Sequence, residues 1–197
     1  MKKIVVISGG LGSPSSTRVL GDDIVARLRE DLAAKGEELE VTVAELRELA
    51  HPIMDAMLTG FPTGDLARIT DAVAAADGLV VVSPTFSASI SGLVKSFFDI
   101  LEMDTLKGKH ILMAATGGTE RHSLMLEFAM RPLFSYLGAL PVRTAIFAAT
   151  SDFGGPGVGS LDRRVRAGAQ ELADALAGSQ RAVEADDFVE FATLLRN

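Results

Sequence analysis

Four unbroken apolar runs, Ile4 to Ile7, Leu79 to Val82, Ile111 to Ala115 and Ile146 to Ala149, constrain the fold of this chain more than any other feature. A strand with one face in water alternates apolar and polar residues; a run with no alternation, bordered by Gly, Ser or Pro, reads as a strand buried on both faces. That pattern belongs to a parallel sheet covered by helices on either side. Leu39 to Val43 differs, with Leu39, Val41 and Val43 alternating with Glu40 and Thr42, and reads as a further strand flanking the buried ones.

The stretches between the runs carry helical spacing. Leu20, Ile24, Leu28 and Leu32 recur every four residues as one apolar stripe, and Gly36 stands where such a helix stops. Leu161, Val165, Leu172 and Leu176 repeat the pattern between a candidate Ser160 cap and Gly178. From Leu124 to Leu137 the spacing is again helical, but Pro132 removes a backbone donor and should kink or divide the helix. The segment from Arg47 to Gly64, with His51-Pro52 and Phe61-Pro62, reads as a loop. With right-handed crossovers, the order β-α-β-α-β-α-β-α-β gives a three-layer, doubly wound α/β sandwich on a five-stranded parallel sheet. The 197 residues suit one domain over residues 1–180. Residues 181–197 form a tail in which Phe188, Phe191, Leu194 and Leu195 share a helical face, the pattern of a docking or oligomer-forming helix.

Composition removes whole classes of function. A net charge of −7, with no basic run beyond Lys2-Lys3, leaves nothing to neutralise a nucleic-acid backbone. With no Cys there is no disulfide framework, cysteine nucleophile, thiolate zinc site or iron–sulfur cluster. His51, His110 and His122 are scattered without metal-ligand spacing, and no G-x-S-x-G elbow marks a serine hydrolase. No stretch approaches the ~20 apolar residues of a membrane span, so a cytoplasmic protein is expected.

In an open α/β sheet the ligand sits at the carboxyl ends of the strands. Three loops there carry chemistry. The first, Ser8-Gly9-Gly10-Leu11-Gly12-Ser13-Pro14-Ser15-Ser16-Thr17-Arg18, offers hydroxyls at Ser13, Ser15, Ser16 and Thr17 and close backbone approach, beside a helix N-terminus. These are the components of a phosphate cradle; the same residues could also be a Ser-rich capping turn that binds nothing. Neither a Walker loop nor the G-x-G-x-x-G fingerprint is present. The second loop, Ser83-Pro84-Thr85-Phe86-Ser87-Ala88-Ser89-Ile90-Ser91-Gly92, is small and polar with one aromatic that could edge a flat ring or belong to the core. Lys95 and Asp99, just beyond it, suit either a partner contact or a solvated helix face. The third, Thr116-Gly117-Gly118-Thr119-Glu120-Arg121-His122, again permits close backbone approach.

Together, Ser8-Gly9 with Ser15-Ser16-Thr17, the run Pro84-x-Phe86 to Ser91-Gly92-x-x-Lys95-x-x-x-Asp99, and Ala115-Thr116-Gly117-Gly118-Thr119 extending to Pro132 resemble the NADPH-dependent FMN reductases of flavodoxin-like fold. The branch most resembled supplies reduced flavin to two-component, luciferase-like and alkanesulfonate-type monooxygenases. The similarity spans about Lys3 to Leu176, and departs from the family's common first-loop pattern S-G-S-x-R, with Gly10 and Gly12 in place of its Ser and Arg. The resemblance implies that Ser15, Ser16, Thr17 and amides from Leu11 through Gly12 to Ser13 hold the FMN phosphate. It likewise implies that Pro84, Thr85, Phe86 and Ser87 line the ribityl chain and ring, and that Thr116, Gly117 and Gly118 meet the ring's pyrimidine end. It implies no protein nucleophile and NADPH as hydride donor. Apart from the resemblance, Arg18 or Arg121 could meet the NADPH phosphates, or either could be an ordinary surface arginine near a helix start.

A flavodoxin-type carrier shields its flavin between aromatic side chains, whereas this chain has no Trp and a single Tyr, Tyr136. That favours a reductase with one flavin face open. Rival readings are a quinone or azo-dye reductase with fixed FMN, a non-catalytic electron carrier, and a scaffold binding no flavin. Apolar helical edges, Leu93 to Leu101 and Leu124 to Leu137, point to a homodimer or homotetramer.

Overall fold

The structure, a computed structural model, describes residues 1–154 and 158–178. In chain order the strands are β1 (Lys2–Ser8), β2 (Leu39–Glu45), β3 (Gly78–Phe86), β4 (Ser89–Ile90), β5 (His110–Gly117), β6 (Leu140–Pro141) and β7 (Ile146–Ala149). The helices are α1 (Ser16–Ala34), α2 (Ala50–Thr59), α3 (Gly64–Ala75), α4 (Gly92–Asp99), α5 (Arg131–Tyr136) and α6 (Val158–Gly178). Each of the four apolar runs lies in a strand, and the alternating segment is the edge strand β2 in the order β2-β1-β3-β5-β6.

Burial on both faces follows from the two-residue side-chain repeat of a strand. Val5 and Ile7 of β1 point into one core, with Val81 of β3 and Met113 of β5. Ile4 and Val6 point into the other, with Val80 and Leu112. Helices α1 and α6 cover this second core with their predicted stripes, Leu20, Ile24, Leu28 and Leu32 against Leu161, Val165, Leu172 and Leu176. The first core is closed by α2 to α5, and its aromatic centre is Phe98, edge-on to Phe97 at 5.4 Å and to Phe134 at 4.9 Å. Truncating such a ring to Ala costs about 3–5 kcal/mol.

The fifth strand position is broken. β6 pairs parallel with β5 at His110 and Ile111, and β7 pairs parallel with it from Ala114 to Gly117. Between them the chain leaves the ladder at Arg143 and Thr144 and is held by side chains. Glu171 of α6 accepts the Thr144 N–H and hydroxyl, both at 2.7 Å. Arg131 donates to the carbonyls of Val142 and Arg143, both at 3.1 Å. The parallel sheet of five positions is thus as expected, with an interruption in the fifth strand and a short antiparallel strand, β4, added to the end of β3.

Pro132 divides its helix as expected: a π-helical turn, Leu126–Met130, precedes α5, and the Arg131 N–H reaches back to the Leu126 carbonyl. Two expectations are corrected. Arg47 to Gly64 is mostly helical, with a 3₁₀ turn at Leu46–Leu49 followed by α2. Pro52 lies in the first turn of α2, where its missing N–H costs nothing, and Gly60 ends the helix at φ +88°. Ser160 lies inside α6 rather than capping it, and its hydroxyl accepts from Arg164 at 2.7 Å. The helical face assigned to 181–197 lies outside the described residues. No helix among the described residues is long and apolar enough to cross a membrane.

Candidate functional site

Backbone and side-chain contacts tie the three expected loops into one surface at the carboxyl ends of β1, β3 and β5. The first loop is tied to β3, one residue before the second loop begins, through Gly9, whose N–H donates to the Val82 carbonyl at 2.9 Å. A Cβ at this position would stand 2.3 Å from Val94 Cγ2, so only glycine permits the contact. The first loop meets the third through Thr17, whose hydroxyl lies 3.2 Å from that of Thr116, with both residues buried. Thr85 of the second loop packs beside Gly117 of the third, where a Cβ would lie 3.4 Å from Thr85 Oγ1 and 2.8 Å from the Phe147 ring.

Within the first loop, Ser15 caps α1 by accepting the Arg18 N–H at 3.2 Å. The loop folds tightly over that cap: a Cβ on Gly10 would stand 2.1 Å from Ser15 Oγ and 3.0 Å from Thr17. Leu11, Gly12, Ser13 and Ser16 are exposed beside the positive end of the 19-residue α1. Backbone donors, hydroxyls and a helix N-terminus therefore face solvent together, an arrangement suited to an anion.

The second loop is a two-residue hairpin turn between β3 and β4, with Thr85 opposite Ile90 and Phe86 opposite Ser89. Its central residues, Ser87 and Ala88, both have positive φ, 48° and 62°, a conformation such turns normally give to Asn and Gly. Ser83, fully buried below the turn, donates to the Pro84 carbonyl at 2.9 Å and accepts the Ser91 N–H at 3.0 Å. The hairpin is thus clamped at its base, with Phe86 45% exposed at its rim. Thr85 Oγ1 is buried and has no hydrogen-bond partner. Beyond the hairpin, Lys95 and Asp99 pair with each other across an exposed helix face.

The two arginines proposed for cofactor phosphates differ. Arg18 donates to both carboxylate oxygens of Asp22, at 2.8 and 3.0 Å, and to Glu45 at 2.8 Å. The hydrogen bond to Asp22, outweighing partial burial, holds its guanidinium above the ordinary arginine range, with Glu45 adding to the effect. Arg121, in the 3₁₀ turn Glu120–His122 after β5, is exposed at the rim of the third loop.

Arg47 had no functional role in the sequence reading. Placed two residues after β2, it donates from Nη1 to the Gly12 carbonyl at 3.3 Å. The signal was its position at a strand's carboxyl end, where ligand-facing residues of this architecture collect; the loop assignment for 47–64 concealed it.

A family model described as NADPH-dependent FMN reductase matches residues 2–154. An FMN reductase (NADPH) of Pseudomonas aeruginosa is 34% identical over 178 residues, covering 89% of this chain and 93% of that protein. An NADH-dependent FMN reductase, SfnE, of Pseudomonas putida is 36% identical over 169 residues, covering 85% and 88%. Among solved structures, an oxidoreductase of Corynebacterium diphtheriae superposes with a TM-score of 0.88 at 47% identity, covering 91% of this chain and 99% of that one. The apo form of the NADH:FMN oxidoreductase EmoB superposes at 0.72 and 28% identity, covering 90% and 89%. On the match over residues 2–154 and the identity to the curated reductases, the chain belongs to the NADPH-dependent FMN reductase family.

Proposed function

We propose that this protein is an NAD(P)H:FMN oxidoreductase of the cytoplasm that transfers hydride from NADPH to FMN and supplies reduced flavin to a partner monooxygenase of the luciferase-like class. The observation that carries the reading is Thr85 Oγ1. It is a buried hydroxyl without a partner, set between the hairpin and the glycine-lined third loop. A buried polar group costs about 1–3 kcal/mol when left unpaired, and the polar edge of a flavin entering between these loops would relieve that cost. The closed glycine cradle at Gly10 and the exposed residues Leu11, Gly12 and Ser13 fit the phosphate end of the same molecule.

Bound FMN supplies the hydride-accepting ring; the protein's task is to hold it and leave one face accessible. Ser15, Ser16, Thr17 and the amides from Leu11 to Ser13 receive the phosphate. Pro84, Thr85, Phe86 and Ser87 line the ribityl chain and ring, and Thr116, Gly117 and Gly118 meet the pyrimidine end, where backbone donors can stabilise negative charge developing on reduction. No side chain is assigned as nucleophile or general acid. Phe86 is the one aromatic side chain in the three loops, and Tyr136, 88% exposed, stands at the far end of α5. The three loops thus supply one aromatic side chain rather than the pair of an electron-carrier sandwich, which favours a flavin with a face left for nicotinamide. Arg121, rather than the carboxylate-bound Arg18, is the cation assigned to the NADPH phosphates. An Arg121→Ala variant should raise the KM for NADPH several-fold with kcat unchanged, and an unaltered KM would remove the assignment.

Exposed Leu124 and Phe128, at 61% and 77%, support a homodimer or homotetramer through this edge. Val94, Phe97 and Phe98 of α4 serve the core instead. A light-scattering mass of 20.7 kDa, one chain, would contradict the oligomer.

The activity is tested by following NADPH absorbance at nanomolar enzyme while free FMN is titrated. Oxidation that depends on FMN and saturates with it supports a reductase that releases its product. Oxidation independent of added FMN by a yellow protein would instead favour fixed flavin and another acceptor.

A further inference from the structure

Resting on the flavin reading of the site, we propose that Arg47 is the counter-ion of the FMN 5′-phosphate, delivered to the first loop from the end of β2 rather than from the loop itself. A phosphate monoester carries about −1.5 to −2 charges at pH 7, and residues 8–17 contain no Lys or Arg to meet them. Two arginines border this loop. Arg18 is held by three carboxylate contacts of 2.8–3.0 Å and has little freedom to serve an incoming anion.

Arg47 is held loosely. Its longest-reaching contacts are Nη1 to the Gly12 carbonyl at 3.3 Å, Nε to Glu45 at 3.5 Å and Nη2 to Glu48 at 3.7 Å. The last two are ion-pair distances rather than hydrogen bonds, and Nε, shielded from solvent, has no hydrogen-bond partner. Glu45 gives its shorter contact, 2.8 Å, to Arg18. The result is a planar cation with unspent donors, already touching the backbone that would wrap the phosphate. Its fork geometry suits two phosphate oxygens. Glu45 and Glu48 keep the cation oriented and offset its charge until the anion arrives.

Riboflavin, which shares the ring and lacks the phosphate, provides the test. FMN and riboflavin are titrated onto wild type, Arg47→Gln, Arg47→Lys and Arg18→Gln by quenching of flavin fluorescence, with thermal midpoints recorded for each. Arg47→Gln should raise the Kd for FMN about 10- to 100-fold, leave that for riboflavin within twofold, and so collapse the preference for the phosphorylated flavin. Arg47→Lys should restore part of it, and Arg18→Gln should keep it. Unchanged preference in Arg47→Gln would overturn the assignment, as would equal loss of both flavins, which marks a merely structural role. If folded wild type binds neither flavin, the flavin reading itself fails.

Discussion

The carboxyl ends of β1, β3 and β5 and the break between β6 and β7 are both places where the regular backbone ladder ends and side chains take over. Their polar groups are used differently. At the break, Glu171 accepts both donors of Thr144 at 2.7 Å and Arg131 closes over two carbonyls at 3.1 Å. At the strand ends, Thr85 Oγ1 and Arg47 Nε are buried without a partner, and Leu11, Gly12 and Ser13 of a glycine-rich loop are exposed. Saturated polar groups hold a fold together. Of the unsaturated ones, Thr85 sits on a hairpin clamped by Ser83 and Arg47 reaches the first loop, where a group that is not part of the chain could meet both; Arg164 Nε, on α6, is a third buried group without a partner.

Substitutions should separate the two regions by what they damage, and the largest effect is expected at Gly10. In Gly10→Val the new Cβ must displace Ser15 Oγ, which would otherwise stand 2.1 Å away. FMN affinity should fall on the order of 100-fold as several charge-assisted hydrogen bonds are lost together, while the thermal midpoint moves by only a few degrees. Normal FMN binding by this variant would remove the first loop from the flavin site.

Thr85→Val should separate stability from affinity. Removing an unpartnered buried hydroxyl should leave the ligand-free protein equally stable or up to about 1 kcal/mol more stable, yet weaken FMN about tenfold. Urea melts and flavin titrations of the same preparation read both quantities, and destabilisation without loss of affinity would place Thr85 among the structural groups.

Glu171→Ala should do the reverse. Loss of the Thr144 clamp should cost about 2 kcal/mol, lowering the thermal midpoint by about 4–8 °C at pH 7, with FMN affinity unchanged. Burial pushes the Glu171 carboxyl up, but hydrogen bonds from the Thr144 N–H and hydroxyl and from Arg143 outweigh it, so the folded-state pKa lies below the ordinary glutamate value. A depressed pKa gives stability that is fully present above the unfolded-state value and is lost as pH falls through the folded one. The gap between wild type and variant in urea should therefore narrow in acid; a gap that widens there would contradict the assignment. The smallest effect belongs to Arg18→Gln, whose partly exposed pairs with Asp22 and Glu45 are worth about 0.5 kcal/mol, with flavin binding unaltered.

How much could be read in advance follows the same division. The doubly buried strands were legible because an unbroken run such as Ile111 to Ala115 has few other places to go. The first, second and third loops were legible because glycines and hydroxyls immediately after such runs mark strand ends, and the family resemblance added roles. Helix α2 is hidden in a segment that reads as a loop, with His51-Pro52 and Phe61-Pro62, although a proline in a first turn is compatible with a helix. Its apolar positions Ile53 and Ala56, buried, with Gly60 as terminator, were the available signal. The break in the fifth strand and the reach of Arg47 to Gly12 depend on pairs 27 and 35 residues apart, respectively, and no local pattern announces such pairs.

Whether the unsaturated strand ends, and not the saturated break, receive the flavin can be read from hydrogen–deuterium exchange with and without FMN. Exchange should slow at Gly9 to Thr17, Thr85 to Ser91 and Gly117 to Thr119, with Leu140 to Thr144 unchanged. Protection that leaves those loops untouched, or that centres on the groove lined by Met103, Tyr136 and Gly138 between the ends of α4 and α5, would contradict a flavin site at the strand ends.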